Sequence, residues 1–114
     1  MTILSSSTIA GDEVVNRQGE NLGEIKDLMI DTDTGRVAYA VLEFGGFHGL
    51  GATLFAVPIT AMQVDTESHN FIFDQSKEAL ENAPGFDKDH WPDFTDREWG
   101  TSVHAHYGVR PYWE

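Results

Sequence analysis

The first 75 residues alternate short apolar runs with turns rich in glycine and aspartate, a pattern that predicts β-strands joined by hairpins. Val14 and Val15 precede a polar turn, and Leu22 and Ile25 follow it. The segment 31–35, DTDTG, consists of residues that bond their own backbone or accept positive φ. We therefore expect strands that pair antiparallel with their neighbours along the chain.

The segment RVAYAVLEF after this turn is apolar on both faces, which is typical of a strand covered on each side. Two more segments complete the β-rich part, namely the strand TLFAVPIT and the hairpin MQVDTESHNFIFD. Pro58 cannot donate to a strand ladder, so we expect it at an edge or a strand end. The prediction is a mainly β protein, with a small closed antiparallel β-barrel of about six strands over residues 1–76.

The period of the apolar residues changes after residue 76, and residues 77–114 are predicted as a helical, aromatic C-terminal extension. Ser76 is a good N-cap for a helix of roughly two turns that stops at Pro84. Seven of the thirteen aromatic residues lie between Phe86 and Trp113. We expect this extension to pack either on the barrel or on a partner subunit.

A second helix is predicted in TDREWGTSVHAHYG, where Thr95 and Glu98 have the spacing of a capping box. An apolar stripe of Trp99, Val103 and Tyr107 follows at intervals of four. Gly100 inside this helix costs up to about 1 kcal/mol relative to alanine, so the helix is expected to depend on docking its stripe.

Composition and charge narrow the classes of function. The 114 residues suffice for one domain, and the absence of cysteine excludes disulfides and thiolate chemistry. Net charge is −12, and both parts of the chain are acidic, which disfavours nucleic-acid and anionic-membrane partners. The N-terminus has no signal-peptide pattern, and no apolar run approaches the roughly 20 residues of a membrane span. We therefore expect an acidic cytoplasmic protein.

The glycine-rich segment GGFHGLG, residues 45–51, most resembles a ligand-binding loop. A phosphate-binding loop joins a strand to a helix, whereas this one joins two strands and lacks the Lys-Ser/Thr pair. It is predicted to be a wide turn, with His48 exposed. The apolar side chains of Phe47 and Leu50 must pack against their own barrel or contact another molecule. We therefore take them as candidate contact residues, together with His48, Tyr112 and Trp113.

The sequence gives little support for a metal-binding or catalytic site. DTDTGR begins like a calcium loop, but the glycine and glutamate positions of an EF-hand are not met. His104 and His106 lie on opposite sides of the predicted helix, and His90 could join either only through the tertiary fold. We expect no catalytic residues, no cofactor and no metal ligands, while a small-ligand or metal-binding protein using His48, His90, His104 or His106 stays the alternative.

The distributed pattern over residues 5–75 resembles the PRC-barrel family. The matching residues are Gly19, Leu22, Gly23, Asp27, Asp31, Gly35, Arg36, Tyr39, Val41, Gly46, Phe47, Gly49, Gly51, Val57 and Pro58. His48 stands where an apolar residue is usual, and Ala52 and Thr53 replace a charged pair that is often seen there. The segments FDKDHWPD and YGVRPYWE are similar to the tail of stand-alone prokaryotic members.

This resemblance implies binding and assembly rather than catalysis, because the family has no shared catalytic residues to carry over. We therefore predict a non-enzymatic protein-binding module that contacts a protein partner or self-associates, with a homodimer as the expected form. The identity of a partner does not follow from the sequence.

Overall fold

A computed structural model describes residues 3–45, 51–65 and 67–114. It consists of six strands, three helices and one 3-10 turn. The strands are β1 (Glu13–Val15), β2 (Asn21–Asp31), β3 (Arg36–Phe44), β4 (Thr53–Pro58), β5 (Met62–Asp65) and β6 (Asn70–Phe73). The helices are α1 (Ser6–Ile9), α2 (Lys77–Glu81) and α3 (Arg97–His106), and the 3-10 turn spans Ile59–Ala61.

The six strands form one sheet in the order β4-β3-β2-β1-β6-β5. The predicted hairpins β1–β2, β2–β3 and β5–β6 are confirmed as antiparallel pairs, and β3 pairs antiparallel with β4. The expectation of a purely antiparallel sheet is wrong, because β1 runs parallel to β6, with Glu13 opposite Asn70. Turn residues indicate pairing only between strands that are adjacent along the chain, so they cannot predict the pairing of residue 13 with residue 70. The fold is thus mainly β, with a mixed sheet and a C-terminal helix.

Gly23 is needed where β2 crosses β3. Its φ is +118°, and a Cβ at this position would lie 2.0 Å from the Glu43 carbonyl oxygen. A backbone oxygen cannot move away without distorting the strand that carries it. Only glycine therefore fits this close approach of two backbones.

The larger core lies on one side of the sheet and draws on every strand. Its central members are aliphatic and phenylalanine side chains, namely Val14, Leu22, Ile25, Ala40, Leu42, Phe55, Val57, Met62, Phe71 and Phe73. Leu80 of α2 is also part of this cluster and is the buried residue of its helix. A second cluster, formed around Ala38, Tyr39, Ala56 and Val103, packs α3 on the strands. The expectation that β3 is covered on both faces is confirmed, since Ala38 to Leu42 are all buried.

The two predicted helices are present, and one cap differs from the prediction. Ser76 caps α2 by accepting a hydrogen bond from the Ala79 N–H. α3 is capped by Asp96, whose carboxylate accepts from the N–H groups of Glu98 and Trp99. The Thr95 hydroxyl instead donates to Asp93 at 2.6 Å, so Thr95 is not the cap.

β4 is bonded on both sides near its start. Leu54 exchanges two backbone hydrogen bonds of 2.8 Å with Phe86, in the loop after α2. Gly85 is the residue that permits this approach, because a Cβ there would lie 2.6 Å from the Thr53 methyl and 2.9 Å from the Leu54 carbonyl oxygen. The loop therefore covers part of the outer edge of β4.

Candidate functional site

The five candidate contact residues divide into two groups. Phe47, His48 and Leu50 lie outside the described residues, so their role stays a prediction. Tyr112 and Trp113 are half-buried and pack against each other, with ring centroids 5.2 Å apart. They belong to a C-terminal segment that lies over the outer face of β3.

Tyr112 fixes this segment through each of its polar groups. Its hydroxyl donates to the Asp31 carboxylate at 2.9 Å, and its carbonyl oxygen accepts from the Arg36 guanidinium at 3.2 Å. Its backbone N–H donates to Nε2 of His104 at 3.2 Å. The tail is thus bonded to the end of β2, the start of β3 and the last turn of α3.

The hydrogen bond between Tyr112 and Asp31 shifts the pKa values of both side chains. The hydrogen bond from the Tyr112 hydroxyl is the main cause that lowers the pKa of Asp31 below its usual value, and the backbone N–H of Asp33 adds to it. Partial burial is the larger cause that raises the pKa of Tyr112, and the hydrogen bond to Asp31 is the second cause. Asp31 is therefore an anion at neutral pH, and Tyr112 is a protonated donor.

Tyr39 lies at the centre of the aromatic cluster and is only 1% exposed. Four rings surround it at centroid distances of 5.3 to 5.9 Å, those of Phe94, Trp99, His104 and Tyr112. Burial raises the pKa of Tyr39 to about 12. Among the described residues its hydroxyl has no hydrogen-bond partner, which is uncommon for a buried phenol.

His104 is fully buried on α3 and uses both ring nitrogens for structure. Nδ1 lies 2.7 Å from the Gly100 carbonyl oxygen, an acceptor, so Nδ1 carries the proton. Nε2 accepts the Tyr112 N–H. This arrangement requires the neutral imidazole and leaves no ring nitrogen for a metal ion.

Gly100 lets α3 approach the tail closely. A Cβ at this position would lie 3.0 Å from the Tyr39 hydroxyl oxygen and 3.0 Å from the Trp113 ring. The guanidinium carbon of Arg97, also on α3, lies 4.7 Å from the centroid of the Trp113 ring, in a cation–π arrangement. Gly100 is thus a packing requirement rather than only a weak point of the helix.

These elements enclose a cleft of about 290 Å³ between the end of β2, the middle of β3, the start of α3 and the tail. Its walls include the side chains of Tyr39, Phe94, Tyr112 and Trp113. Its charged residues are Asp31, Asp33, Asp96 and Arg97. We call this feature the tail cleft.

The other candidate histidines are dispersed. His90 is exposed and bonds Asp87 through Nδ1 at 2.7 Å, which is the main cause that lowers the pKa of Asp87. His106 is exposed and stacks edge-on against Tyr107. Among residues 3–45, 51–65 and 67–114, no group of three His, Asp or Glu side chains could hold a metal ion. None of the helices in the same ranges is long and apolar enough to cross a membrane.

Sequence reasoning missed most of the residues that build the tail cleft. The sequence predicts Asp31 as a turn residue at the start of a calcium-like segment and Tyr39 as a strand residue, and both match the family pattern, but neither is predicted to line a ligand site. The signal available in the sequence was a tyrosine inside the otherwise aliphatic run VAYAVL, since a buried phenol has to find surroundings for its hydroxyl. The position of Tyr112 against Asp31 depends on tertiary structure and left no local signal.

The sequence was compared with protein families, with curated proteins and with solved structures. The sequence model of the PRC-barrel domain family matches residues 1–80. A solved structure that matches is that of a 16S ribosomal RNA processing protein, RimM, from Pseudomonas aeruginosa, with 16% sequence identity and a TM-score of 0.44. That alignment covers 66% of this chain and 45% of the other. No curated protein matches the sequence.

Proposed function

The chain belongs to the PRC-barrel domain family, and we propose that it is a non-enzymatic protein-binding and assembly module. The observation that carries this proposal is the family match over residues 1–80, since the family is not a catalytic one. We also propose that the curled sheet closes into the family's barrel, with residues 77–114 as an extension of it. Cytoplasmic location is part of the same proposal.

Exposed apolar residues support a binding role. Ile30, beside the tail cleft, is 53% exposed, and Val64 of β5 is 45% exposed. Trp91 is also exposed and stacks on Phe86, with ring centroids 5.2 Å apart. We propose that Phe47, His48 and Leu50 of the glycine segment, with Tyr112 and Trp113, contribute to the contact surface. Self-association as a homodimer is the expected form.

The test is sedimentation velocity over a wide range of protein concentration. Wild-type protein is expected to show a dimer that dissociates on dilution, and Phe47→Asp is expected to shift it to monomer. Ile3→Asp is the matched control, because Ile3 is 83% exposed and the same charge is introduced outside the proposed surface. A wild-type protein that is monomeric at every concentration contradicts the self-association.

Binding to another protein is tested separately by a pull-down from a lysate of the native cells. A partner that is captured by the wild type and by Ile3→Asp, and lost with Phe47→Asp, supports the proposed surface. Capture that is equal for all three forms assigns the contact to another face. Absence of any captured protein, together with a monomeric wild type, contradicts the proposed function as a whole.

A further inference from the structure

We propose that the tail cleft binds a small organic cation, consisting of one flat ring that carries an amidinium, guanidinium or ammonium group. The cleft shares Tyr112 and Trp113 with the proposed contact surface, but binding of a free cation there requires no partner protein, so the two proposals are tested separately. Four features carry the proposal: the charge of the cleft, its aromatic walls, an unpartnered buried hydroxyl and its size.

The charge of the cleft favours a cation. Three carboxylates, those of Asp31, Asp33 and Asp96, line it together with one guanidinium, that of Arg97. Asp31 is ionised at neutral pH, and the hydrogen bond from the Tyr112 hydroxyl lowers its pKa further. The Asp33 carboxylate is exposed and makes no hydrogen bond or ion pair with another described residue, which leaves it available to a ligand. An anionic ligand would be repelled by these three carboxylates.

The walls of the cleft have the chemistry that binds flat cations. Tyr39, Phe94 and Trp113 present aromatic rings to it, and cations are attracted to the faces of such rings. The protein already uses this interaction, since the Arg97 guanidinium lies 4.7 Å from the centroid of the Trp113 ring. A flat cationic ligand therefore matches the chemistry of these walls.

The Tyr39 hydroxyl supplies the independent observation. It belongs to a side chain that lines the cleft, is 1% exposed, and has no hydrogen-bond partner among the described residues. A buried phenol without a partner costs on the order of 1–3 kcal/mol. The oxygen is covered beside Gly100 and Trp113, so a ligand N–H reaches it only when the half-buried Trp113 ring shifts. The bond formed then would remove that cost.

The size of the cleft limits the ligand to one ring. Its volume of about 290 Å³ lies at the small end of ligand pockets, which begin near 300 Å³. A nucleotide or a peptide of several residues would not be enclosed. Benzamidinium has the required ring and charge and is the probe for the test.

The experiment is an NMR titration of the amide resonances of the full-length protein with benzamidinium, benzyl alcohol and benzoate. We expect benzamidinium to saturate, with shifts concentrated at residues 29–33, 94–97 and 112–113. Benzyl alcohol keeps the ring without the charge and is expected to bind at least about fivefold more weakly. Benzoate is expected to be weaker again. Equal affinity for the three probes, shifts that do not saturate, or shifts outside the cleft would each overturn the proposal.

Three variants give the matched test. Asp33→Asn is expected to weaken benzamidinium about fivefold, whereas Glu81→Gln on the exposed end of α2 removes the same charge and is expected to leave affinity unchanged. Tyr39→Phe is expected to weaken binding without loss of stability, because it deletes an unpartnered group. A Tyr39→Phe protein that binds benzamidinium as tightly as the wild type would overturn the proposal, because the hydroxyl is its independent observation. Equal effects of Asp33→Asn and Glu81→Gln would mean that only net charge matters, and the site would be rejected.

Discussion

Replacing Gly100 by alanine separates what local helix propensity predicts from what packing predicts. Gly100 lies in the interior of α3, where alanine is more favourable than glycine by about 1 kcal/mol. Judged from the sequence, the substitution should therefore stabilise the protein. The contacts around Gly100 predict the opposite sign.

The magnitude follows from the neighbours of the added methyl group. It would lie 3.0 Å from the Tyr39 hydroxyl oxygen and 3.0 and 3.1 Å from two carbons of the Trp113 ring. Trp113 is half-buried and can shift, but Tyr39 is enclosed by four rings and cannot. Overpacking of this kind costs about 1–3 kcal/mol, which exceeds the gain in propensity. We expect a net loss of about 1 kcal/mol in the free energy of unfolding.

The measurement is urea denaturation followed by circular dichroism, with the free energy of unfolding taken by linear extrapolation. Thr101→Ala is the control, because Thr101 is exposed on the same helix and the change is expected to stabilise by about 0.5 kcal/mol. Combining Gly100→Ala with Trp113→Ala should reduce the cost of the first change, since one of its two obstacles is then gone. A Gly100→Ala protein that is stabilised as much as Thr101→Ala would refute the packing of α3 on Tyr39 and Trp113.

Three further predictions test other contacts. Leu80→Ala should lower the free energy of unfolding by about 2–4 kcal/mol, because Leu80 is buried in the larger core. The control Glu81→Ala should change this free energy by no more than about 0.5 kcal/mol, and equal effects of the two in urea denaturation would contradict the docking of α2. Tyr112→Phe should raise the pKa of Asp31 towards its usual 3.8, measured by the NMR shift of the carboxyl carbon as a function of pH. A carboxylate with a lowered pKa stabilises the fold above its unfolded-state pKa and loses this effect as pH falls through the folded-state value, so the wild type should lose more stability below pH 3.8 than the variant. Identical acid denaturation profiles for the two proteins would argue against the bond. Gly23→Ala should prevent folding or lower the melting temperature severely, because its Cβ would meet the Glu43 carbonyl oxygen. The control Gly19→Ala has open space around it and should cost only the strain of a positive φ, about 1 kcal/mol. A folded and stable Gly23→Ala protein would disprove the close crossing of β2 and β3.

Much of the β-rich part was predictable, because its signals are local. The turn at 31–35 and the apolar run after it identify the β2–β3 hairpin, and Ser76 identifies the start of α2. Pro58 is the last residue of β4, as its missing N–H suggests. Each of these features depends on residues only a few positions apart.

The features that sequence reasoning missed involve distant residues. The parallel pairing of β1 with β6 joins Val14 to Phe71, and no turn signal connects them. The cap of α3 was assigned one residue early because Thr95 and Asp96 are both good caps, and the carboxylate of Asp96 makes the bonds while Thr95 turns to Asp93. The tail cleft needs Asp31 and Tyr112 side by side, a contact that only the folded chain creates.

The position of β1 between β2 and β6 sets an order for assembly at the ribosome. β2, β3 and β4 can pair as soon as they emerge, since each follows its partner along the chain. β1 can pair with β2 early, but its other edge stays open until residues 70–72 have been made. Contacts of such sequence separation form slowly, so joining β6 to β1 is the step that should limit the folding rate. In a nascent chain that ends before residue 70, β1 is an edge strand with one row of unpaired backbone groups. Such an exposed edge favours aggregation and is a surface that chaperones shield.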